Sequence, residues 1–429
     1  MASEMEKPAR PPRPPWWRSL GPALITACVV FGPGSLLISS NVGANYRYEL
    51  IWLLLLTGLL MGTFTTMGAR IGVVGGATPC TLVAARLGRP AAAVIGITLS
   101  LTCTAFQFSN NLALGAAAGA FLPKAAVPWV LVVVNGLIIG FLFFSKEIYR
   151  TVERLMKVMV GVILLCFLIN LVLARPNLLQ VVQGFIPSIP DAVSLGVPQK
   201  VGGSIEDPMI LIASLLGTTF SVAGAFFQGN LVRERNWTID DYRSGVGDAI
   251  AGVSVLTLVS MIIMVTAGTV ILGKPADDIG TLALSLEPLL GTAAYTMFVI
   301  GLLAVAMNPF LINAMIGGSI LADGIGKPAR LNERWPRIFT IAVMLIGMVV
   351  AMLALRTGQK PVNLIIFGQA LTVLGNPLMA AAMLWLANRK DVMGERRNRL
   401  PVNILGGIGF LLVLLMALRV LWRIVLQLS

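Results

Sequence analysis

Along this chain, apolar runs long enough to cross a bilayer alternate with short polar segments. A helix covers the hydrocarbon core with about 20 residues. The spacing predicts eleven spans: Leu20–Ser40, Ile51–Arg70, Ala91–Leu122, Val127–Phe144, Met156–Leu173, Met209–Val232, Gly245–Leu272, Thr292–Ile320, Ile338–Leu355, Val362–Leu386 and Ile404–Val425. The longest connection, residues 174–208, holds only a Pro-marked stretch, Gly184-Phe185-Ile186-Pro187-Ser188-Ile189-Pro190. The pattern predicts an all-α polytopic membrane protein with one membrane domain over residues 19–429. Residues 1–18 read as a Pro-rich, basic cytoplasmic tail ending in the interfacial pair Trp16-Trp17, not as a cleaved signal.

Composition sharpens this reading. Of 429 residues, 57% are hydrophobic and 12% charged, about half the charge of a soluble domain, which excludes one. The net charge of +13 raises the question of nucleic acid, but the basic residues cluster between the apolar runs as topology signals. The eleven spans put 23 of the 32 Lys and Arg on the side of the N-terminus. That bias places the N-terminus in the cytoplasm and the C-terminus outside, in a bacterial-type inner membrane. There is no histidine, and Cys28, Cys80, Cys103 and Cys166 are widely spaced, so zinc spacing, haem attachment and a disulfide framework find no support. The sequence implies no cofactor. No nucleophile, base and orienting group stand together, so an enzyme is not indicated.

Two spans carry helix-disrupting or small polar residues near their middles. The first holds Gly32-Pro33-Gly34-Ser35, then Ser39-Ser40-Asn41; the sixth holds Gly217-Thr218-Thr219-Phe220-Ser221, then Ala223-Gly224. Proline removes a backbone donor, and glycine costs about 1 kcal/mol against alanine in a helix interior, so both spans are expected to unwind locally. Read blandly, these are a kink and a small-residue packing face. They nevertheless hold corresponding places if spans one to five and six to ten are inverted repeats, about residues 19–175 and 206–388, followed by an extra helix at 401–427. Paired interruptions of this kind point to a transporter's midplane site. Asn308-Pro309 in span eight reads as a kink.

With these residues in view, the chain resembles the Nramp transporters, which move divalent metal ions on a LeuT-type fold of two inverted five-helix repeats. The resemblance rests on Phe31-Gly32-Pro33-Gly34-Ser35, Tyr48-Glu49-Leu50, Ala69-Arg70-Ile71-Gly72-Val73-Val74-Gly75, Leu171-Val172-Leu173-Ala174-Arg175-Pro176, the Pro187-Ser188-Ile189-Pro190 loop, Gln369 and Met393-Gly394-Glu395. It implies a metal site at the two breaks and a proton route through spans three to six. At the implied metal positions stand Gly32, Ser35, Ser221, Val222 and Ala223, without carboxylate or thioether. On the implied proton route stand Gln107, Asn110, Ile138, Asn170, Ala223 and Gln228. A proton relay in a membrane needs titratable groups, so the resemblance combined with these residues implies transport without proton coupling.

What remains is a neutral polar cavity whose substrate-facing residues are expected to be Gly32, Ser35, Thr218, Ser221 and Gln369, with Ser35 and Ser221 as metal ligands directly or through water. Mg²⁺ dehydrates reluctantly and keeps several waters, so such a site suits an ion, Mg²⁺ or Mn²⁺-like, that stays partly hydrated. The alternative is an anion, a metal chelate or a small organic solute held by half-helix dipoles; a degenerate, non-transporting scaffold ranks last. The expected partners are the carried solute and the lipid bilayer, with no nucleic acid, and the sequence carries no signal of oligomeric state. Among the acids, Asp248 is the one placed to face a vestibule.

Overall fold

The computed structural model describes residues 31–144, 146–191, 196–202, 204–274, 276–307 and 309–429. Its principal helices are α1 (Pro33–Tyr46), α2 (Ile51–Gly75), α3 (Pro79–Leu87), α4 (Arg89–Gly119), α5 (Val127–Phe144), α6 (Lys146–Ala174), α7 (Ile210–Thr219), α8 (Val222–Glu234), α9 (Ile239–Val270), α10 (Ala294–Met307), α11 (Phe310–Gly324), α12 (Arg334–Leu355), α13 (Pro361–Leu371), α14 (Asn376–Asn388) and α15 (Leu400–Leu428). Among the described residues, eight segments are long and apolar enough to cross a membrane, and two shorter apolar helices lie at 124–140 and 158–174. Most of the first expected span and the whole 1–18 tail lie outside the described residues.

Helix starts follow from local chemistry. Pro33, Pro79 and Pro361 open α1, α3 and α13, where the missing N–H is no loss and the fixed φ suits the first turn. Thr238 caps α9, accepting from the Asp241 N–H at 3.3 Å while the Asp241 carboxylate accepts from the Thr238 N–H at 2.8 Å, a reciprocal box. Outward faces are apolar at helical spacing: Leu345, Ile346, Val349 and Leu353 on α12, and Leu411, Leu415, Leu418 and Trp422 on α15 are exposed. A surface of that kind belongs in lipid.

Inside, the helices exchange partners. α1 packs on α9 and α8 packs on α2, so the opening helix of each half lies against the second helix of the other. α4 is central and touches α10, α11, α12 and α13. Small residues set these approaches: Gly68 and Gly72 of α2 abut the Ala225 and Gly229 carbonyls of α8, where any Cβ would overlap backbone. Between α6 and α7 a two-stranded antiparallel hairpin, β1 (Gln199–Val201) and β2 (Ser204–Glu206), pairs Gln199 with Glu206. α15 holds this loop. Arg419 donates to the buried Asp207 carboxylate at 3.0 Å and to the Gly196 carbonyl at 2.8 Å.

Span eight, where Asn308-Pro309 reads as a kink, and span ten, with no break expected, are both divided. α10 ends at Met307 and α11 starts at Phe310 behind Pro309, with residue 308 outside the described residues. α13 ends at Leu371, and the turn 372–375 precedes α14. Asn376-Pro377 restarts the helix there, with the proline in the first turn of α14, where its missing N–H is no loss.

The contrast between two glycines of α2 tests this packing. Gly68→Ala forces a Cβ into the Ala225 carbonyl, whereas Gly62 faces open space. Thermal unfolding in detergent is expected to show Gly68→Ala destabilised by about 1–3 kcal/mol and Gly62→Ala unchanged or slightly stabilised, by about 1 kcal/mol at most.

Candidate functional site

The interruption expected in the sixth span is present, and the described part of the first span is a helix that starts only at Pro33. Phe31 and Gly32 are non-helical before α1, and Gly32 is extended at φ −109°, ψ 172°. Between α7 and α8 the backbone leaves the helix at Phe220 (φ −108°, ψ 69°) and Ser221 (φ −79°, ψ 85°). Unwound carbonyls and N–H groups at membrane depth need partners inside the protein. Phe220 finds one on a third chain segment: the buried Asn376 amide donates to the Phe220 carbonyl at 3.2 Å.

The breaks meet α13 through contacts that tolerate no extra atom. A Cβ on Gly34 would lie 2.5 Å from Thr218 Oγ1 and 2.7 Å from Gln369 Cδ. One on Gly217 would overlap the Gln369 carbonyl and come within 2.6 Å of Thr372 Oγ1, and Thr372 donates to that carbonyl at 2.6 Å. Ser35 Oγ lies 3.5 Å from Thr218 Oγ1. Gln369 is 1% exposed, and its Oε1 has no protein partner. Ser35, Thr218 and Gln369 therefore converge around Gly34.

Ser221 is used differently. Its hydroxyl accepts from the Gly224 N–H at 3.3 Å and caps α8, the ordinary role of serine at a helix start. No hydrogen bond joins it to Ser35, Thr218 or Gln369 among the described residues. Gly32 stands one turn before Leu36, whose N–H reaches its carbonyl at 3.4 Å.

The remaining sequence candidates form buried amide chemistry. Asn110 donates to Gln107 Oε1 at 2.9 Å, Asn111 to the Gln107 carbonyl at 2.8 Å, and Asn135 of α5 to Asn111 Oδ1 at 2.7 Å. Gly347 of α12 and Gly368 of α13 press on Gln107 and Ser109 and seal this row. Asn170 donates to the Ser285 carbonyl at 2.6 Å. Ile138 and Ala223 are buried apolar positions, and Gln228 is half-buried on α8. Every group in the row is neutral, and none can accept and release a proton near neutral pH.

A cavity of about 1180 Å³ opens at the end of the bundle where α1 stops. Asn41, Asn45, Thr104, Asn363, Arg423 and Gln427 line part of it. It reaches Ile366 and Leu371 of α13, and Gly32, Ser35, Thr218, Ser221 and Gln369 are not among its lining residues. Asp248 is exposed on α9 and lines neither place, against expectation: the seventh span starts earlier than read, leaving this acid on an outward face. Among the described residues, no three His, Cys, Asp or Glu side chains gather to hold a metal.

With the geometry in hand, a family model described as "Natural resistance-associated macrophage protein-like" matches residues 23–423. The chain belongs to the Nramp family. A relative from Deinococcus radiodurans named "Divalent metal cation transporter MntH" is 26% identical over 94% of this chain and 89% of its own. A manganese transporter structure from Eremococcus coleocola aligns with a TM-score of 0.75 at 20% identity, covering 97% of this chain and 88% of that one. Mhp1, a nucleobase-cation-symport-1 family transporter, aligns at a TM-score of 0.53 and 13% identity over 94% of this chain and 92% of that one. These likenesses carry the LeuT-like fold. The chain thus joins a LeuT-like, mostly helical membrane fold to a row of neutral amides.

Asn376, Thr372, Asn111 and Asn135 are buried hydrogen-bonding positions beside the site that the sequence does not single out. Asn376 carries a usable signal, an amide just before a proline inside an apolar span. Replacing it with leucine removes one of two hydrogen bonds to the Phe220 carbonyl, which keeps the Val222 N–H at 3.1 Å, at a cost of about 0.5–1.5 kcal/mol. Asn376→Leu is expected to lower the unfolding temperature and reduce transport, whereas Asn388→Leu, at an exposed helix end, leaves both near wild type.

Proposed function

We propose that this Nramp protein carries a divalent metal ion, Mg²⁺ or Mn²⁺-like and at least partly hydrated, by alternating access without coupling to protons. We place eleven spans in the membrane as two inverted repeats plus a final helix, with the N-terminus cytoplasmic and the C-terminus outside. The observation that carries the proposal is the neutral interior: where the resemblance implies metal ligands and proton carriers, the chain has hydroxyls, amides and unwound carbonyls. Ser35, Thr218 and Gln369 converge on Gly34, and of the proton-route positions Gln107 and Asn110 join a buried amide row, Asn170 bonds the Ser285 carbonyl, and Ile138 and Ala223 are apolar. Names of relatives that carry divalent metal or manganese support a dication as cargo.

Binding by such a site is weak by design. A dehydrated dication needs carboxylates, but a hydrated one is satisfied by oxygen acceptors around its water shell. Ser35 and Thr218 supply hydroxyls, Gln369 its unpartnered Oε1, and Gly32 its carbonyl. Ser221 contributes mainly by fixing the start of α8.

One observation favours the alternative cargo. In the outer cavity Asp277 is neutralised by Lys360 at 2.6 Å. Arg423 lines the same cavity, its guanidinium 5.5 Å from the Phe367 ring centre, and the nearby Asp207 is already engaged by Arg419. An entrance without a free carboxylate suits an anion, a chelate or a neutral solute.

Uptake of Mn²⁺ and Mg²⁺ into proteoliposomes, read with internal dyes, separates the two. Saturable dication entry is expected, with the half-saturating concentration raised about tenfold in Ser35→Ala/Thr218→Val, equivalent to about 1.4 kcal/mol. Absence of dication entry in sealed vesicles holding folded protein moves the assignment to the alternative cargo. Saturable entry untouched by the double substitution removes the site assignment alone.

A further inference from the structure

At the end of the bundle opposite the outer cavity, one carboxylate is buried and heavily hydrogen-bonded. Asp323, at the close of α11, is 4% exposed. Its Oδ1 accepts from Thr78 Oγ1 at 2.7 Å and Thr81 Oγ1 at 3.0 Å, and its Oδ2 accepts from Asn230 Nδ2 at 3.2 Å. Arg89, at the start of α4, donates to the Asp323 carbonyl at 3.2 Å. The donors come from three places: Thr78 and Thr81 from the start of α3, Asn230 from α8, and Arg89 from α4. A buried charge of this kind persists only when hydrogen bonds satisfy it.

The location matters because α8 is the half-helix that begins at the Phe220–Ser221 break. Around Asp323 the backbones are in close contact: a Cβ on Gly229 of α8 would lie 2.5 Å from Pro79 Cγ, and one on Gly96 of α4 would lie 3.0 Å from the Gly324 Cα of α11. Neither the outer cavity nor the smaller one beside Asp323 reaches the converging residues. The molecule is open at one end and fastened at the other.

We infer that Asp323 is a positioning residue for transport, the latch that fastens the half-helix α8 to α3 and α11, and that the Asp323–Asn230 bond breaks when the site opens to the side opposite the outer cavity. The inference rests on the transporter reading but not on the cargo, because the latch acts on access rather than on binding. A hydrogen bond to a charged group contributes about 1.5–3 kcal/mol, enough to shift a two-state access equilibrium roughly tenfold or more.

The protein carries its own reporter. Cys80 is fully buried in α3 with its thiol against the Asp323 carboxylate. Burial, and secondarily that carboxylate, push the thiol well above its ordinary pKa, so a closed latch leaves it slow to alkylate. On the other side, Thr104 of α4 is half-buried in the outer cavity and accepts a Thr104→Cys replacement of similar size.

The test measures alkylation of Cys80 and of the thiol introduced by Thr104→Cys in proteoliposomes with N-ethylmaleimide, followed by peptide mass spectrometry, with and without Asn230→Leu. The latch predicts opposite changes: Cys80 labelling at least about fivefold faster and labelling of the introduced thiol slower, as the population leaves the form open at the outer cavity. Faster Cys80 labelling with the introduced thiol unchanged means local loosening and overturns the latch, as does no change at either site. If Asn230→Leu yields no folded protein, the same pair of rates in Thr81→Val, which removes another of the three bonds, decides it. Because no substrate is used, failure here is distinct from failure of dication uptake.

Discussion

In the hydrocarbon region every backbone polar group must find its partner within the protein, and the arrangement of this molecule follows from that constraint. The helix is interrupted between α7 and α8, beside the start of α1, and the interruption exposes peptide groups that lipid cannot satisfy. The protein meets the need with side-chain amides and close glycine contacts. Asn376 serves the Phe220 carbonyl, Thr372 serves that of Gln369, and Ser221 serves the free N–H of Gly224. The division between α13 and α14 thus supports the break between α7 and α8 by presenting Asn376 to it. Gly34 and Gly217 let the segments approach within reach.

The same economy of neutral groups fixes the chemistry. Carboxylates and imidazoles bind dications and carry protons, and both activities need groups that ionise. Amides of similar size keep the packing and the hydrogen bonds yet hold one charge state at all relevant pH values. The Gln107–Asn110 pair is of this kind, joined by its own hydrogen bond and unable to relay a proton. Charge persists at the periphery instead: in the Arg419–Asp207 tie of α15, in the Lys360–Asp277 pair at the outer cavity, and in Asp323, where its role is mechanical.

Much of this is legible in the sequence. Lengths of apolar runs locate the helices, because lipid allows little else to cross. Gly32-Pro33-Gly34 and the Gly217–Ser221 stretch reveal the breaks, because proline and glycine weaken a helix through their own backbones. The paired breaks single out Ser35 and Thr218, and Gln369 is singled out by the Nramp resemblance. The division of span ten is hidden, since Thr372–Gly375 is apolar enough to pass as helix and only contact with α7 gives its turn a purpose. Ser221 reads as a ligand because a hydroxyl at a break has two uses, and sequence does not separate capping from coordination. Asp323 sits at a helix end, where acids are usually solvated; its burial depends on α3 and α8, which are distant in the chain.

The central claim is that this interior moves its cargo without moving protons. The most direct measurement is the effect of an imposed pH gradient on the ion gradient the protein sustains in sealed proteoliposomes, with membrane potential clamped by an ionophore. Without coupling, the internal ion concentration at equilibrium is independent of the pH gradient and a pH dye registers no proton entry with the ion. Accumulation that follows the pH gradient, with protons entering in fixed ratio to the ion, contradicts the account and requires a proton carrier outside the amide row.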